Sequence, residues 1–217
     1  QSIPVIEKVF VRRFDSQTVL IWRGQTIDDF LESPALFAYE GFDYGMNQDL
    51  IGQNGGIGWS SSWQSGDGRG GMHTMASKLT YPNFLESGNA LIFTVEDSAD
   101  KEDFNAIRRT LSKTMGDTNG TVWGSMFVKV LEIGQGHLFI VIQGNFDVSL
   151  GKIWGTQFGI NNSDADTDTE MIADTVYRIV WRYDFYEAQG RKCDAYLWVN
   201  PDLSEEPNAS TANASKK

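Results

Sequence analysis

Two tryptophans in a Gly-, Ser- and Asn-rich stretch are the residues with the clearest binding chemistry. Trp59 and Trp63 stand four residues apart, and an exposed indole face is a common platform for the apolar side of a sugar ring. Side-chain amides that could hold sugar hydroxyls lie nearby in the sequence, at Gln53, Asn54 and Gln64. The pattern predicts a glycan-binding site. The alternative is that both indoles pack this long loop onto the body of the protein.

An alternating acidic run is the candidate metal site. Its carboxylates are Asp164, Asp166, Asp168 and Glu170, in a stretch (161–169) that we interpret as a polar loop. Carboxylates that converge in a loop suit calcium, which takes six to eight oxygen ligands. The EF-hand glycine and its bidentate glutamate are absent at their proper spacing. Calcium is therefore the candidate cofactor, and a solvated acidic loop is the alternative.

Patterns that would mark a catalytic centre are missing from the sequence. Retaining glycosidases need two carboxyl groups about 5 Å apart, yet no Glu-x-Asp-x-x-Glu run occurs. Glu96 and Asp97 are adjacent, so on a strand they would point to opposite faces. His73, His137 and Cys193 are the only histidines and cysteine, and no Gly-x-Ser-x-Gly motif is present. We expect a protein that is not an enzyme.

Composition narrows the class of partner. The 217 residues carry a formal net charge of −11, and a surface this acidic repels nucleic acid and anionic membranes. A single cysteine makes an internal disulfide impossible. No run of apolar residues reaches the length that spans a bilayer. We expect a secreted or cell-surface protein that binds no nucleic acid and inserts into no membrane.

Strand patterns dominate the chain, while the only helical signal is one turn at residues 26–31. Alternation is clearest in the late segments, where Tyr177, Ile179, Trp181 and Tyr183 share one face. Residues 104–114 fit helix or strand, and their neighbours favour strand. The other predicted strands are 5–11, 18–22, 36–42, 73–80, 89–95, 121–133, 137–144, 152–160 and 193–199. Roughly eleven short strands predict an all-β sandwich or jelly roll with at most one or two short helical turns.

Several segments resemble one family of exported bacterial domains. They read AYEGFDY at 38–44, LIGQNGGIGW at 50–59, TVWGSMF at 121–127, DTVY to WRYDF at 174–185, and YLWVNP at 196–201. These resemble concanavalin A-like (LamG-type) jelly rolls of planctomycete and verrucomicrobial surface proteins. The likeness covers about residues 36–207. It implies a concanavalin A-like jelly-roll sandwich of two antiparallel sheets, in modules that bind sugars or mediate adhesion.

The order of one motif departs from that family. Domains of that family continue with further strands after the Asn-Pro turn. In this chain, residues 208–217 show no strand pattern, so we expect them to form a flexible tail. Residues 1–207 are then a single domain. Residues 19–30 are similar to the missing closing strand. We expect residues 1–35 to supply it in cis or in trans, unless the chain is permuted, is a slice of a tandem array, or the similarity is coincidental. The edge-strand candidates are Val5, Val9, Val11, Val19, Ile21 and Trp22.

Two functions compete on these observations. In the first, the chain is a structural or adhesive subunit that self-associates through sheet edges into an oligomer or filament, or joins neighbouring domains of a larger surface protein. In the second, it is a lectin-like module that binds a glycan with the help of calcium. A polysaccharide-degrading enzyme is a third, more distant alternative.

Overall fold

The structure is a computed structural model, and it describes residues 11–14, 36–45, 47–65, 73–75, 79, 81, 90–92, 107–113, 119–129, 138–142, 148–152, 156–160, 165–186, 192–202 and 206–216. Over these residues the chain is all-β, as the sequence predicts, with one short 3-10 turn at Ala209–Thr211. No helix in the described ranges is long and apolar enough to cross a membrane.

The strands follow one another with short spacings. In chain order they are β1 (Val11–Phe14), β2 (Leu36–Ala38), β3 (Gln64–Ser65), β4 (His73–Met75), β5 (Ala90–Ile92), β6 (Ile107–Arg108), β7 (Gly120–Lys129), β8 (Leu138–Ile142), β9 (Val148–Lys152), β10 (Gln157–Ile160), β11 (Ala165–Glu170), β12 (Val176–Tyr186), β13 (Lys192–Val199) and β14 (Ala214–Lys216).

Two antiparallel sheets make up most of the fold. The larger has six strands in the order β14-β13-β12-β7-β1-β2, and the second has four in the order β11-β10-β9-β8. Two further pairs, β3 with β6 and β4 with β5, have two strands each. The segment at 104–114 therefore contains a strand, β6, as its surroundings indicate.

The core lies between the two main sheets. Side chains at alternate positions of β12 point inward, and Ile179, Trp181 and Tyr183 are at most 4% exposed. They share one apolar cluster with Leu150 and Phe158 from the four-stranded sheet. Each large apolar side chain buried in this way contributes about 1.5–3 kcal/mol to folding. The alternation read from the sequence thus identifies the face of β12 that holds the sheets together.

Two predicted segments differ from the structure. Within the predicted strand 152–160, Lys152 ends β9 and Gln157–Ile160 form β10, which pairs antiparallel with β9, so the segment is not one strand. The stretch that we interpreted as an acidic loop becomes a strand from Ala165, which pairs with Ile160 of β10. Thr167 in this strand is 1% exposed. Small and β-branched residues between the carboxylates suit an outer strand with one buried face.

The predicted tail is an ordered part of the sheet over its described residues. Strand β14 pairs with β13, with Ala214 opposite Leu197. The Asn208 side chain accepts a hydrogen bond from the Ser210 N–H at 2.9 Å, and the Asn213 side chain accepts one from Val199 N–H at 2.8 Å. The Asn and Ser residues that look like a linker are turn and cap residues here, because their side chains satisfy backbone groups.

Strand β1, the first strand that the structure describes, occupies an interior position of its sheet rather than the edge that we expected. Strand β1 lies between β7 and β2, with Val11 opposite Ala38 and Arg13 opposite Val122. Among the described strands, β14 and β2 stand at the two ends of this sheet. The remaining edge-strand candidates, and the helical turn at 26–31, fall outside the described residues: Val5, Val9, Val19, Ile21 and Trp22.

Candidate functional site

The tryptophan-containing loop is held on the body by backbone contacts. Tyr39 and Ile57 bridge through two hydrogen bonds of 2.9 Å, and Trp59 bridges to Leu111. Strand β3 pairs with β6 directly after Trp63. These contacts fix the loop against the segment that carries Arg109.

Arg109 is the centre of this region. Its Nη1 donates to Glu40 Oε2 at 2.5 Å and to Gly55 O at 2.7 Å. Its Nη2 donates to Asn54 Oδ1 at 3.0 Å and to Ser61 O at 3.0 Å, while Nε donates to Ser61 O at 3.1 Å. The Arg109 side chain is 1% exposed. All three guanidinium nitrogens are therefore bonded, as a buried cation requires.

Both carboxylate oxygens of Glu40, the partner of Arg109, also accept hydrogen bonds. Its Oε2 also accepts from Trp63 Nε1 at 3.0 Å and from the Tyr44 hydroxyl at 2.9 Å. Its Oε1 accepts from the Phe42 N–H at 2.9 Å, which supports Phe42 at a positive φ of 53°. We call Arg109, Glu40 and the two tryptophans the loop clamp.

The two tryptophans enclose the Arg109 cation. The guanidinium carbon lies 5.0 Å from the Trp59 ring centre and 5.4 Å from that of Trp63, within the range of a cation–π interaction. Trp59 Nε1 donates to Tyr39 O at 2.9 Å, and Phe42 stacks on Trp63 at 6.1 Å. The indoles thus pack the loop, which is the alternative that the sequence left open.

The amides proposed beside the tryptophans have separate positions. Asn54 contacts the loop clamp, because its Oδ1 accepts a hydrogen bond from Arg109 Nη2. Gln53 donates to Gln48 Oε1 and to Asp49 O, both at 3.2 Å. Gln64 lies in β3 with its side chain exposed. Glycan binding by these residues stays a prediction.

The calcium candidates share one strand. Asp166, Asp168 and Glu170 lie in β11, and Asp164 lies outside the described residues. Within the described part of the chain, no three His, Cys, Asp or Glu side chains are grouped as a metal site. Calcium stays a prediction. Cys193, in β13, is half-buried, and burial raises the pKa of its thiol to about 11.

A second polar cluster lies on the outer face of the six-stranded sheet. Strand pairing places Arg182 of β12 between Trp123 of β7 and Tyr196 of β13. The next row on the same face holds Thr121, Asp184 and Asp194. The Arg182 guanidinium carbon lies 5.5 Å from the Trp123 ring centre and 5.3 Å from that of Tyr196.

Asp184 and Asp194 accept the side-chain hydrogen bonds in these two rows. Arg182 donates twice to Asp184, from Nε at 2.8 Å and from Nη2 at 2.5 Å, and the Thr121 hydroxyl donates to Asp184 at 2.7 Å. Asp194 Oδ2 accepts from the Tyr186 hydroxyl at 3.0 Å and from the Tyr196 hydroxyl at 3.4 Å. Burial, followed by the bond to Asp194, raises the pKa of Tyr186 to about 12. We use the name sheet-face cluster for the residues of these rows: Thr121, Trp123, Arg182, Asp184, Tyr186, Asp194 and Tyr196.

The C-terminal segment borders this cluster. Ala209 and Ala212 pack on the aromatic residues Trp123, Tyr196 and Trp198, and Trp198 Nε1 donates to Thr211 Oγ1 at 3.3 Å. A surface depression of about 440 Å³ lies beside it, lined by Arg182, Glu206, Pro207, Asn208 and Ala209. Burial raises the pKa of Glu206, and the Asp184 charge adds to this while Arg182 opposes it.

Comparison with known proteins adds no family. No family model matches the chain, no curated protein matches it, and no solved structure matches it. The resemblance to LamG-type domains therefore stays a prediction that rests on the residues quoted above.

Proposed function

We propose that this protein is a secreted, non-catalytic jelly roll of the concanavalin A-like type. We propose further that it serves as a structural or adhesive subunit, which self-associates by exchanging its N-terminal strand. The interior position of β1 carries this proposal. Antiparallel sheets with a shared core and an acidic composition support the jelly-roll and secretion parts of it.

Strand β1 pairs with a neighbouring strand on each of its two sides. It pairs with β7 through Arg12, Arg13 and Phe14, and with β2 through Val11 and Arg12. Backbone pairing does not depend on which chain supplies the strand, so the β1 of a second copy can make the same hydrogen bonds. A chain without β1 would leave an edge of β7 unpaired, and unpaired edges favour pairing with another chain.

The test is the solution mass of the intact chain, measured by light scattering over a range of concentrations. We expect dimers or larger assemblies, in which differently labelled chains exchange after mixing. Arg13→Pro removes an N–H from β1 and should abolish the assemblies, whereas Arg13→Ala keeps the backbone donor and should retain them. A synthetic peptide of residues 1–23 should bind a chain that lacks them.

One result would contradict strand exchange. If the intact chain and Arg13→Ala are both monomers near 24.3 kDa at every concentration, and labelled chains do not exchange, β1 serves its own chain alone. The adhesive role would then need a different surface.

A further inference from the structure

An Asn-Gly pair, Asn54-Gly55, lies against the loop clamp. In such a pair the backbone nitrogen of the glycine can attack the side-chain carbonyl carbon of the asparagine before it, which closes a succinimide ring. Glycine permits this attack because it has no Cβ to hinder the approach and its backbone rotates freely. The groups around the pair then decide how fast the ring forms.

Arg109 holds the Asn54 amide by its oxygen. The Arg109 Nη2 donates to Asn54 Oδ1 at 3.0 Å. Attack on the amide carbon moves negative charge onto this oxygen, and a fixed cationic donor stabilises that charge, as in an oxyanion hole. The guanidinium is held in place by its other bonds to Glu40, Gly55 and Ser61. Asn54 is exposed, so ammonia can leave and water can reach the ring.

The Gly55 nitrogen, which is the nucleophile, begins a chain of hydrogen bonds that ends at a carboxylate. Gly55 N–H donates to the Tyr44 hydroxyl oxygen at 3.0 Å, and that hydroxyl donates to Glu40 Oε2 at 2.9 Å. Burial raises the pKa of Tyr44, so the hydroxyl keeps its proton at neutral pH and stays a donor. Bonds in such a chain strengthen one another, and the carboxylate therefore helps the Gly55 nitrogen to lose its proton.

We propose that Asn54-Gly55 is a self-modification site, at which the loop converts Asn54 first into a succinimide and then into an acidic residue. The Gly55 nitrogen forms a bond to Asn54 Cγ and passes its proton into the chain of hydrogen bonds. The Cγ–Nδ2 bond breaks, and Nδ2 leaves as ammonia with a proton from that chain. Water then opens the ring and leaves aspartate or isoaspartate at position 54.

The modification changes the charge beside Arg109. Either product places a carboxylate at position 54, where the neutral Asn54 amide contacts Nη2 before the reaction. Arg109 already pairs with Glu40 at 2.5 Å, so one buried cation would face two anions. The loop clamp thus gains a negative charge by its own chemistry. This reaction does not depend on strand exchange by β1.

The experiment compares the reaction rate at Asn54 in the intact folded chain with the rate in a synthetic peptide of residues 50–60. Both are incubated at neutral pH in water enriched in a heavy oxygen isotope, so that only product formed during the incubation carries the label. Peptide mapping by mass spectrometry follows the loss of ammonia and the gain of labelled oxygen. We expect the folded chain to react about tenfold faster than the peptide, or more.

A pair of tyrosine variants tests the chain of hydrogen bonds. Tyr44→Phe keeps the ring and removes the hydroxyl, so it should lower the rate about tenfold or more. Tyr81→Phe is the matched control, because it removes a hydroxyl that donates to Asn200 at 3.2 Å, and it should react as the parent does. The rates are compared under conditions in which denaturant unfolding shows each variant to be folded.

Two results would overturn the proposal. The first is a folded chain that reacts at the rate of the peptide or more slowly, which would mean that the bond from Gly55 to Tyr44 protects the nitrogen. The second is a rate that Tyr44→Phe leaves within about twofold of the parent. Because the comparison with the peptide uses the parent chain, it decides the matter even where Tyr44→Phe does not fold.

Discussion

The loop clamp and the sheet-face cluster are built from the same kinds of residue but differ in completeness. Each places an arginine against a carboxylate and two aromatic rings. Arg109 is 1% exposed and bonded at all three nitrogens. The Arg182 side chain is 23% exposed, and among the described residues it donates hydrogen bonds to one aspartate, Asp184.

This difference indicates that the loop clamp has a structural role, whereas the sheet-face cluster keeps groups that can bind a ligand. A buried cation whose donors are all satisfied can accept no ligand without losing a bond, so the loop clamp acts on folding. The Arg182 side chain keeps 23% of its surface exposed, so it can gain a hydrogen bond from a ligand without losing one. Residue types alone do not distinguish the two, whereas the saturation of their hydrogen bonds does.

The largest expected effect is in the loop clamp. Arg109→Leu leaves the Glu40 carboxylate, which is 9% exposed, buried without its cation. Removal of one partner from a buried ion pair costs about 3–5 kcal/mol. Denaturant unfolding of the variant measures this loss. A loss below about 1 kcal/mol would show that the clamp is as weak as a surface ion pair.

Gly56 and Gly52 lie in the same loop with similar backbone conformations but different surroundings, so the same substitution can be compared at both. Gly56 and Gly52 have φ of 76° and 89°, so alanine is strained at both. An added Cβ at Gly56 would collide with the Tyr39 carbonyl oxygen, whereas at Gly52 nothing lies within 4 Å. Gly56→Ala should cost about 2–3 kcal/mol and Gly52→Ala about 1 kcal/mol. Equal losses in thermal or denaturant unfolding would mean that the loop is not packed against Tyr39.

Much of the fold was accessible from the sequence because burial leaves a periodic signal. The alternation in residues 177–183 predicted that Tyr177, Ile179, Trp181 and Tyr183 share one face of β12, and all four belong to the apolar cluster between the two sheets. The strand at Ala214–Lys216 was missed because three residues are too few to show a period. Strand β11 was missed because its alternating carboxylates look like those of a solvated loop.

The sites were harder to predict because they depend on register. Because side chains alternate along a strand, Arg182 and Asp184 point away from Trp181 and Tyr183, but only the pairing of β12 with β13 puts Asp194 opposite Asp184. Arg109 was missed entirely, since it stands 46 residues after Trp63 in the chain and its role comes from tertiary contacts. Trp59 and Trp63 were identified as important, yet their environment could not be read from spacing.

A moderate effect is expected in the sheet-face cluster. Arg182→Met removes the two-bonded contact with Asp184, which is 11% exposed, and should cost about 1–2 kcal/mol, well below Arg109→Leu. A second change, Asp184→Asn in the same chain, should recover part of this loss because it removes the uncompensated charge beside Asp194. A loss equal to that of Arg109→Leu in urea unfolding would erase the distinction between the two regions.

The smallest expected effect concerns pH and Glu206. Because burial raises its pKa above the ordinary value of 4.5, the folded chain holds this proton more tightly than the unfolded chain does. Stability from this group is therefore complete below about pH 4.5 and is lost as the pH rises through the raised pKa.

Urea unfolding of the parent and Glu206→Gln across this pH window measures the difference, and the parent should lose stability relative to the variant as the pH rises. Arg182 lowers the pKa of Glu206, so Arg182→Met should extend the window to higher pH. The opposite slope, with the parent gaining on Glu206→Gln, would mean that the ionised carboxylate is stabilised by Arg182. In that case the depression beside Arg182 would be closed by an ion pair, and the sheet-face cluster would resemble the loop clamp more closely than its exposure indicates.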